Sequence, residues 1–178
     1  VLINNLPIKA YQNLMDKIWP HDVWTQWGGN MWNATFGFMS ILIAFTVAYH
    51  LARGYNKDGL SAGVISVATY LTFGTFGEGG LSGMTTGTAG IFISLIIALL
   101  SAELFSRLSG SPKLMIKMPD TVPPAVAKSF AALLPAIITI GAFALVRTII
   151  STSFNMPDII TAFYNTCLLY TSDAADEE

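Results

Sequence analysis

An acidic and a basic side chain stand four residues apart at the end of a long uncharged stretch of this sequence. Glu103 and Arg107 follow residues 79–102, which contain no Asp, Glu, Lys or Arg, and residues four apart share one face of an α-helix. A carboxylate in a helix that crosses a bilayer is costly unless it is paired or faces water. The spacing therefore favours a structural ion pair over a substrate or proton site.

Other residue types that often carry chemistry show no spacing typical of a site. The two histidines, His21 and His50, and the single Cys167 do not form the clustered pattern of metal ligands. The glycine-rich stretch GTFGEGGLSGMTTGTAG at 74–90 contains neither Gly-x-Gly-x-x-Gly nor Gly-x-x-x-x-Gly-Lys-Ser/Thr. We predict a flexible connection there, and no catalytic residue, metal site or cofactor in this chain.

The elements that carry these residues follow from the distribution of charge. Hydrophobic residues make up 53% and charged residues 11% of the 178 residues, whereas about a quarter of an average soluble domain is charged. Asp, Glu, Lys and Arg are absent from 23–52, 59–77, 79–102 and 129–146. Since a helix needs about 20 apolar residues to cross a bilayer, the sequence predicts an all-α polytopic membrane protein. It does not suggest nucleic acid as a partner.

We expect four transmembrane helices, at about 31–51, 60–76, 88–108 and 127–150. Four tryptophans precede the first, where their amphipathic rings suit the headgroup region: Trp19, Trp24, Trp27 and Trp32. The second helix contains the spacing Gly59-x-x-x-Gly63, which allows a neighbouring helix to approach closely.

Basic residues predict the orientation of these helices. Arg53 and Lys57 lie between the first and second helices. Four more surround the connection between the third and fourth: Arg107, Lys113, Lys117 and Lys128. The opposite side has only Lys9, Lys17 and Arg147. By the positive-inside rule, the two connections richer in Lys and Arg lie in the cytoplasm.

The connection before the fourth helix combines charges with prolines, in IKMPDTVPPAVAKSFAALLPA at 116–136. Pro119 disfavours helix at the preceding residue, and Asp120 or Thr121 can cap a new helix whose first turn accommodates two prolines. Pro135 is expected to kink that helix. We interpret the connection as a rigid cytoplasmic turn whose charged side chains face a partner or anionic headgroups: Lys113, Lys117, Asp120 and Lys128.

The same stretch resembles, nearly residue for residue, a loop-and-helix signature of enzyme IIC, the membrane component of the lactose/cellobiose family of bacterial sugar phosphotransferase systems (PTS). The usual signature has Gly where Thr121 stands. NATFGFMSILIAFTVAYHLARGYNKDGLSAGVISVATYL at 33–71 resembles the second and third helices of that family, and AELF at 102–105 resembles the end of its fourth. The resemblance extends over about residues 2–150.

The resemblance implies a homodimeric permease of roughly ten helices in the bacterial cytoplasmic membrane. Such a permease carries a β-linked disaccharide, such as cellobiose, lactose or chitobiose, and a cytoplasmic IIB partner that is phosphorylated through IIA then phosphorylates the sugar. This chain resembles the N-terminal half, which is the scaffold and dimerisation half. The sugar-binding histidine and glutamate of the family lie in the other half, so we assign no substrate residue here.

Both ends of the chain suggest a fragment. VLINNLPI at the start lacks an initiator Met and resembles the end of an earlier span. CLLYTSDAADE at 167–177 matches one translated frame of a sequencing-library adapter, and such segments are excluded from fold reasoning. We therefore expect part of a PTS IIC membrane domain at 1–166 and a non-native tail at 167–178.

Three other functions stay open from the residues alone. The chain can be half of an ion-coupled secondary transporter, or a purely structural membrane dimerisation module. A membrane-embedded enzyme is the third, although it would be expected to cluster His, Asp or Glu near one interface.

Overall fold

The computed structural model describes residues 9–77, 80–111, 114, 124–154 and 158–166. In chain order these residues form α1 Lys9–Ile18, α2 His21–Thr35, α3 Met39–Gly54, α4 Gly59–Phe73, strands β1 Phe76–Gly77 and β2 Gly80–Leu81, α5 Gly83–Thr86, α6 Ile91–Ser109 and α7 Pro124–Phe154. Short 3-10 turns, Phe36–Phe38 and Thr88–Gly90, precede α3 and α6, and residues 159–166 form a last helical segment, α8.

The predicted helical membrane architecture is confirmed, and each of the four predicted spans overlaps a helix. Among the described residues, three helical stretches are long and apolar enough to cross a membrane: Asp22–Gly54, Thr88–Ser109 and Phe130–Ser153. The fourth, α4, is a shorter apolar helix. Length and hydropathy therefore agree with a polytopic membrane protein.

The predicted boundaries differ from the observed ones, most of all at the start of the first span. Helix begins at His21, ten residues before the predicted start of the first span, because Gln, Gly and Asn lower the hydropathy of residues 21–30 without preventing helix. The second span was predicted to extend to residue 76, but α4 ends at Phe73. Phe76 instead pairs with Leu81 in the two-residue antiparallel strands β1 and β2.

The centre of the fold is a seam between α3 and α6 made of small side chains. Ala44, Ala48 and Ala52 are spaced by four along α3 and are fully buried, and Ala48 clusters with Ala98 and Ala102 of α6. Methyl groups at this spacing let the two backbones come close, as is common between helices in a bilayer. Around Ala48, apolar packing is thus made by small side chains, while Ala44 and Ala52 lie in clusters that include Ile93, Ile97 and Phe105 of α6.

Helix α4 also packs closely against α3, as the Gly59-x-x-x-Gly63 spacing predicted. A Cβ atom at Gly63 would lie 2.8 Å from the Phe45 ring, and one at Gly59 would lie 2.8 Å from the Tyr49 carbonyl oxygen. Neither position has room for a side chain. The α3–α4 turn that permits this antiparallel approach contains Asn56 at φ 55°, a left-handed conformation that Asn tolerates better than most residues.

Helix α7 covers one side of this three-helix group. Ala132, Ala136 and Ile140 pack against a buried cluster that includes Ile65 and Phe105. Pro135 is buried inside α7, which continues from Pro124 to Phe154, and Thr139 Oγ1 donates a hydrogen bond to the Pro135 carbonyl oxygen, 2.7 Å away. The helix therefore passes through Pro135 without ending, and the expected kink stays a prediction.

Candidate functional site

The two ends of the helix group carry different chemistry and are described in turn. The basic end, defined by Arg53, Lys57 and Arg107, contains the α3–α4 turn, the end of α6 and the start of α7. The hairpin end, defined by residues 74–90, contains β1, β2, α5 and the 3-10 turn before α6. Antiparallel passage of the helices puts these two sets of residues at opposite ends.

Glu103 and Arg107 contact each other at the basic end. Arg107 Nε lies 2.6 Å from Glu103 Oε1, with the Arg107 side chain 78% exposed and that of Glu103 33% exposed. A hydrogen bond to the Glu103 carboxylate and the charge of that carboxylate raise the pKa of Tyr55, which lies in the α3–α4 turn. The expected contact exists, and its structural role stays a prediction.

A second contact at this end involves the last turn of α3. Arg53 Nη1 donates a hydrogen bond to the Tyr49 hydroxyl over 3.1 Å, and its guanidinium carbon lies 5.6 Å from the centre of the Tyr49 ring. His50 packs edge-on against the same ring, with centroids 5.3 Å apart. Arg53 and Arg107 of the basic end thus bond to other side chains.

A pocket of about 170 Å³ opens beside these residues, between the α3–α4 turn and α7. Lys57 and Asp58 line one side of the pocket, and Ala131, Ala132 and Pro135 line the other. Leu114 also lines the pocket.

The predicted partner-facing residues Lys113, Lys117 and Asp120 lie outside the described residues. Lys128 belongs to α7, but its side chain is not described. Leu114, in the connector between α6 and α7 (residues 110–123), thus lines the same pocket as Lys57, while the arrangement of the charged residues stays a prediction.

The hairpin end is held by buried hydrogen bonds to the backbone. The Tyr70 hydroxyl donates to the Thr85 carbonyl oxygen, 2.5 Å away, and the Ser40 hydroxyl is within hydrogen-bond distance of the carbonyl oxygens of Thr86, at 3.0 Å, and Gly87. Ser40, Tyr70 and Thr85 are each 0% exposed. The sequence suggested a flexible connection here. The described residues of 74–90 are instead anchored to α3 and α4.

Asp158 joins α8 to this end, a contact that the sequence analysis missed. Its carboxylate accepts hydrogen bonds from the Thr161 backbone N–H at 3.1 Å and the Thr161 hydroxyl at 2.6 Å, which is the geometry of a helix cap. The Thr75 hydroxyl donates to Asp158 Oδ2 at 3.4 Å. The Asp-x-x-Thr spacing was a signal for the cap, but nothing local indicated the contact with Thr75.

A cleft of about 490 Å³ lies at the hairpin end, between the α2–α3 junction and the segment from α5 to the following 3-10 turn. The rings of Trp32 and Phe36 stack with centroids 4.3 Å apart and an interplanar angle of 22°. The polar side chains along the cleft are Asn33, Thr86, Thr88 and Tyr164. None of the described residues that line it is charged. This arrangement suits an uncharged ligand that has both an apolar face and hydrogen-bonding groups.

Within the part of the chain that the structure describes, no group of three or more His, Cys, Asp or Glu residues is arranged to hold a metal ion. Cys167 and the His21 side chain lie outside the described part.

Comparison with known proteins identifies the family. Residues 1–170 match the family described as "Phosphotransferase system, EIIC". The lichenan permease IIC component of Bacillus subtilis (strain 168) is 38% identical over 149 residues, which are 76% of this chain and 32% of that protein. The cellobiose-specific EIIC component of the PTS of Geobacillus stearothermophilus is 32% identical over 157 residues, 76% of this chain and 33% of that protein.

A solved structure agrees with these relatives. The crystal structure of the transporter ChbC, the IIC component from the N,N'-diacetylchitobiose-specific phosphotransferase system, superposes with a TM-score of 0.77 at 33% identity. The match covers 84% of this chain and 38% of ChbC, so the chain spans about a third of the length of the proteins it resembles. EIIC components are integral proteins of the bacterial plasma membrane, in agreement with the apolar helices. With a family match over nearly its whole length and a shared helical fold, this chain belongs to the EIIC family of the phosphotransferase system.

Proposed function

We propose that this chain is the N-terminal, scaffold half of a PTS permease that translocates a β-linked disaccharide for phosphorylation by a IIB partner. The family match over residues 1–170 carries the proposal. The similarity to ChbC in both sequence and fold supports it. The substrate itself would be held mainly by the other half, because the family resemblance puts the sugar-binding histidine and glutamate there.

The names of the relatives support a saccharide of the cellobiose, lactose or chitobiose type. One relative is a lichenan permease component, a second is cellobiose-specific, and ChbC comes from a diacetylchitobiose-specific system. Each of the three shares about a third of its length with this chain. We infer the substrate class from them and leave the individual sugar open.

The basic end would face the cytoplasm and IIB, which receives its phosphoryl group through IIA. Arg53, Lys57 and Arg107 meet at this end, and the positive-inside rule favours its cytoplasmic location. The connector that carries Lys113, Lys117 and Asp120, followed by Lys128 in α7, begins there, next to Leu114. Its charges would approach IIB directly, and its prolines would fix the distance between α6 and α7.

A homodimer in which this half supplies the contact surface is also part of the proposal. Large apolar side chains are exposed along α6 and α7, among them Phe92, Leu100, Leu145 and Ile149, which are 55–67% exposed. In a bilayer such faces meet lipid or another helix, and van der Waals packing decides between them. Cross-linking of the full-length permease in its native membrane tests this part on its own.

The transport mechanism is tested with the full-length permease in sealed vesicles. Purified IIA, IIB and a phosphoenolpyruvate-fed relay are supplied on the cytoplasmic side, and labelled cellobiose is added outside. We expect accumulation of cellobiose phosphate only when the relay is complete. Uptake of free cellobiose driven by a proton or sodium gradient, without the relay, would support the secondary-transporter alternative instead.

The role of the connector is tested by reversing its charge. Replacing Lys113→Glu together with Lys117→Glu should reduce IIB-dependent phosphorylation about tenfold or more, because like charges would then oppose an acidic docking surface, while cellobiose binding stays unchanged. The matched control is Lys9→Glu with Lys17→Glu, which makes the same charge change on the opposite side. Equal phosphorylation by the connector variant and the control would refute the proposed docking role.

A further inference from the structure

The cleft at the hairpin end has the size of a ligand site and a defined shape. Its volume of about 490 Å³ falls within the range of small-molecule sites, roughly 300 to 1,000 Å³. It lies on the side opposite to Arg53, Lys57 and Arg107, hence on the outer side under the proposed orientation. The half of the permease to which we assign no substrate residue thus has an open cleft where a sugar would first arrive.

The lining of the cleft determines which ligands fit. Trp32 and Phe36 are 39% and 43% exposed and their rings stack on each other, so the ring edges and outer ring faces remain available for apolar contacts in the cleft. Asn33 supplies an amide that both donates and accepts, and Thr88 and Tyr164 supply hydroxyls. Since none of the described lining residues is charged, an anionic or cationic ligand would find no counter-charge there.

The wall opposite the rings is rigid, because buried groups fix it from behind. The carbonyl oxygens of Thr86 and Gly87 interact with the buried Ser40 hydroxyl, and Thr85 is held by Tyr70. A site whose wall is already ordered loses less conformational entropy when a ligand binds. The cleft is therefore preorganised on the side formed by Thr86 and Gly87.

We propose that this cleft binds a neutral saccharide whose C–H groups pack against the stacked rings of Trp32 and Phe36 and whose hydroxyls bond to Asn33, Thr88 and Tyr164. The cleft acts as an outer entry site that raises the local concentration of sugar before translocation. The proposal rests on the proposed sugar transport and adds a second binding site to it. Exposed aromatic rings next to neutral polar groups match a pyranose, which carries both C–H groups and hydroxyls, whereas a lipid chain would leave Asn33 and the hydroxyls unpaired.

The site is located by photolabelling of the full-length permease. A cellobiose derivative with a small photoreactive aglycone is activated on the protein, and the labelled peptides are mapped by mass spectrometry. We expect label within residues 32–38 and 86–89, and loss of that label when unmodified cellobiose is present in excess. Label confined to the other half of the permease would overturn the proposal, as would competition by a long-chain alkyl detergent but not by cellobiose.

Three tryptophan variants make the test specific. Trp32→Ala should abolish the label at 32–38 and raise the KM for cellobiose phosphorylation about fivefold to tenfold, since an aromatic contact is lost, while kcat is unchanged. Trp32→Phe keeps a ring and should restore most of the affinity. Trp27→Ala removes a tryptophan that is 51% exposed on the same helix but does not line the cleft, and it should behave as wild type.

The result separates the two proposals. Wild-type KM in Trp32→Ala, with phosphorylation intact, would overturn the entry site and leave the permease function in place. No cellobiose phosphorylation by the wild-type permease, together with saccharide-protected label at 32–38, would overturn the permease function and keep the binding site. Thermal unfolding of each variant in detergent identifies any loss that comes from misfolding, and Trp32→Phe then serves as the folded test variant.

Discussion

The hairpin end and the basic end of the helix group are both polar, but their polar groups contact different partners. At the hairpin end, the buried hydroxyls of Ser40 and Tyr70 bond to backbone carbonyl oxygens. At the basic end, the exposed side chains of Arg53 and Arg107 bond to other side chains. A buried hydrogen bond is costly to break because the remaining group stays unpaired, whereas an exposed ion pair is screened by water.

The difference gives each end a mechanical property that suits its proposed role. Backbone segments held by buried bonds keep one conformation, which a binding cleft needs. Exposed charged groups can exchange partners at little cost, which a surface that docks and releases another protein needs. Three sets of substitutions test this comparison, from the largest expected effect to the smallest.

Gly90→Ala should cause the largest loss of stability, because the buried bonds meet at that position. A Cβ atom there would lie 2.6 Å from the Thr85 carbonyl oxygen, 3.0 Å from Ser40 Oγ and closer still to the Tyr70 hydroxyl oxygen. Gly90 already has helical backbone angles, so alanine causes no backbone strain there. Steric overlap of its Cβ atom is the cause of the expected loss. We expect the free energy of unfolding to fall by about 2 to 3 kcal/mol, measured by denaturant titration of the full-length permease in micelles.

The control for Gly90 is Gly141→Ala in α7. A Cβ atom at Gly141 would have no neighbour within 4 Å, and Ala is about 0.8 to 1 kcal/mol more favourable than Gly in a helix interior. The control should therefore be neutral or slightly stabilising. Equal losses from both substitutions would show that the hairpin end is not tightly packed.

Tyr70→Phe and Tyr49→Phe make the same chemical change at the two ends. Tyr70→Phe removes the donor to the buried Thr85 carbonyl oxygen, 2.5 Å away, and should cost about 1 to 2 kcal/mol. Tyr49→Phe removes an acceptor for Arg53, whose guanidinium remains in contact with water, and should cost less than about 0.5 kcal/mol. Denaturant titration of both variants measures the two losses in free energy of unfolding. A larger loss for Tyr49→Phe than for Tyr70→Phe would contradict the comparison.

Glu103→Ala should have the smallest effect on stability but a clear effect on titration. The carboxylate raises the pKa of Tyr55 through a hydrogen bond and through its charge. Without it, ionisation of Tyr55 costs less, so phenolate absorbance should begin at lower pH than in the wild-type protein. Glu103→Gln keeps an acceptor without the charge and should give an intermediate shift.

The titration is assigned with Tyr55→Phe. The difference in phenolate absorbance between each Glu103 variant and wild type should vanish when both carry Tyr55→Phe. A difference that persists in that background would mean that another tyrosine responds to Glu103, and the contact between Tyr55 and Glu103 would then be wrong.

The helices and their membrane character could be predicted from the sequence because both depend on local composition. Uncharged runs long enough to span a bilayer are visible in the chain itself, and the spacing of Glu103 and Arg107 is a property of one helix. The predicted close approach at Gly59 and Gly63 also follows from spacing along one helix. These features need no knowledge of the tertiary fold.

The hairpin end could not be predicted in the same way, because its contacts join residues far apart in the sequence. Ser40 and the Thr86 carbonyl oxygen are separated by 46 residues, and Thr75 and Asp158 by 83. A glycine-rich stretch looks the same in sequence whether its carbonyl groups face water or a buried hydroxyl. Only the fold brings Trp32 and Phe36 opposite Thr86, so the cleft had no signal in the sequence.

The alanines in the seam between α3 and α6 reduce the entropy lost on folding. Ordering an alanine side chain loses no rotamer freedom, whereas each leucine or isoleucine loses about 0.5 to 1 kcal/mol and a methionine up to about 2. Ala44, Ala48, Ala52, Ala98 and Ala102 are all buried, so these five positions pack without that loss. In a bilayer, where lipid is as apolar as leucine and burial itself contributes little, the absence of this entropic penalty gives small residues an advantage that they lack in water.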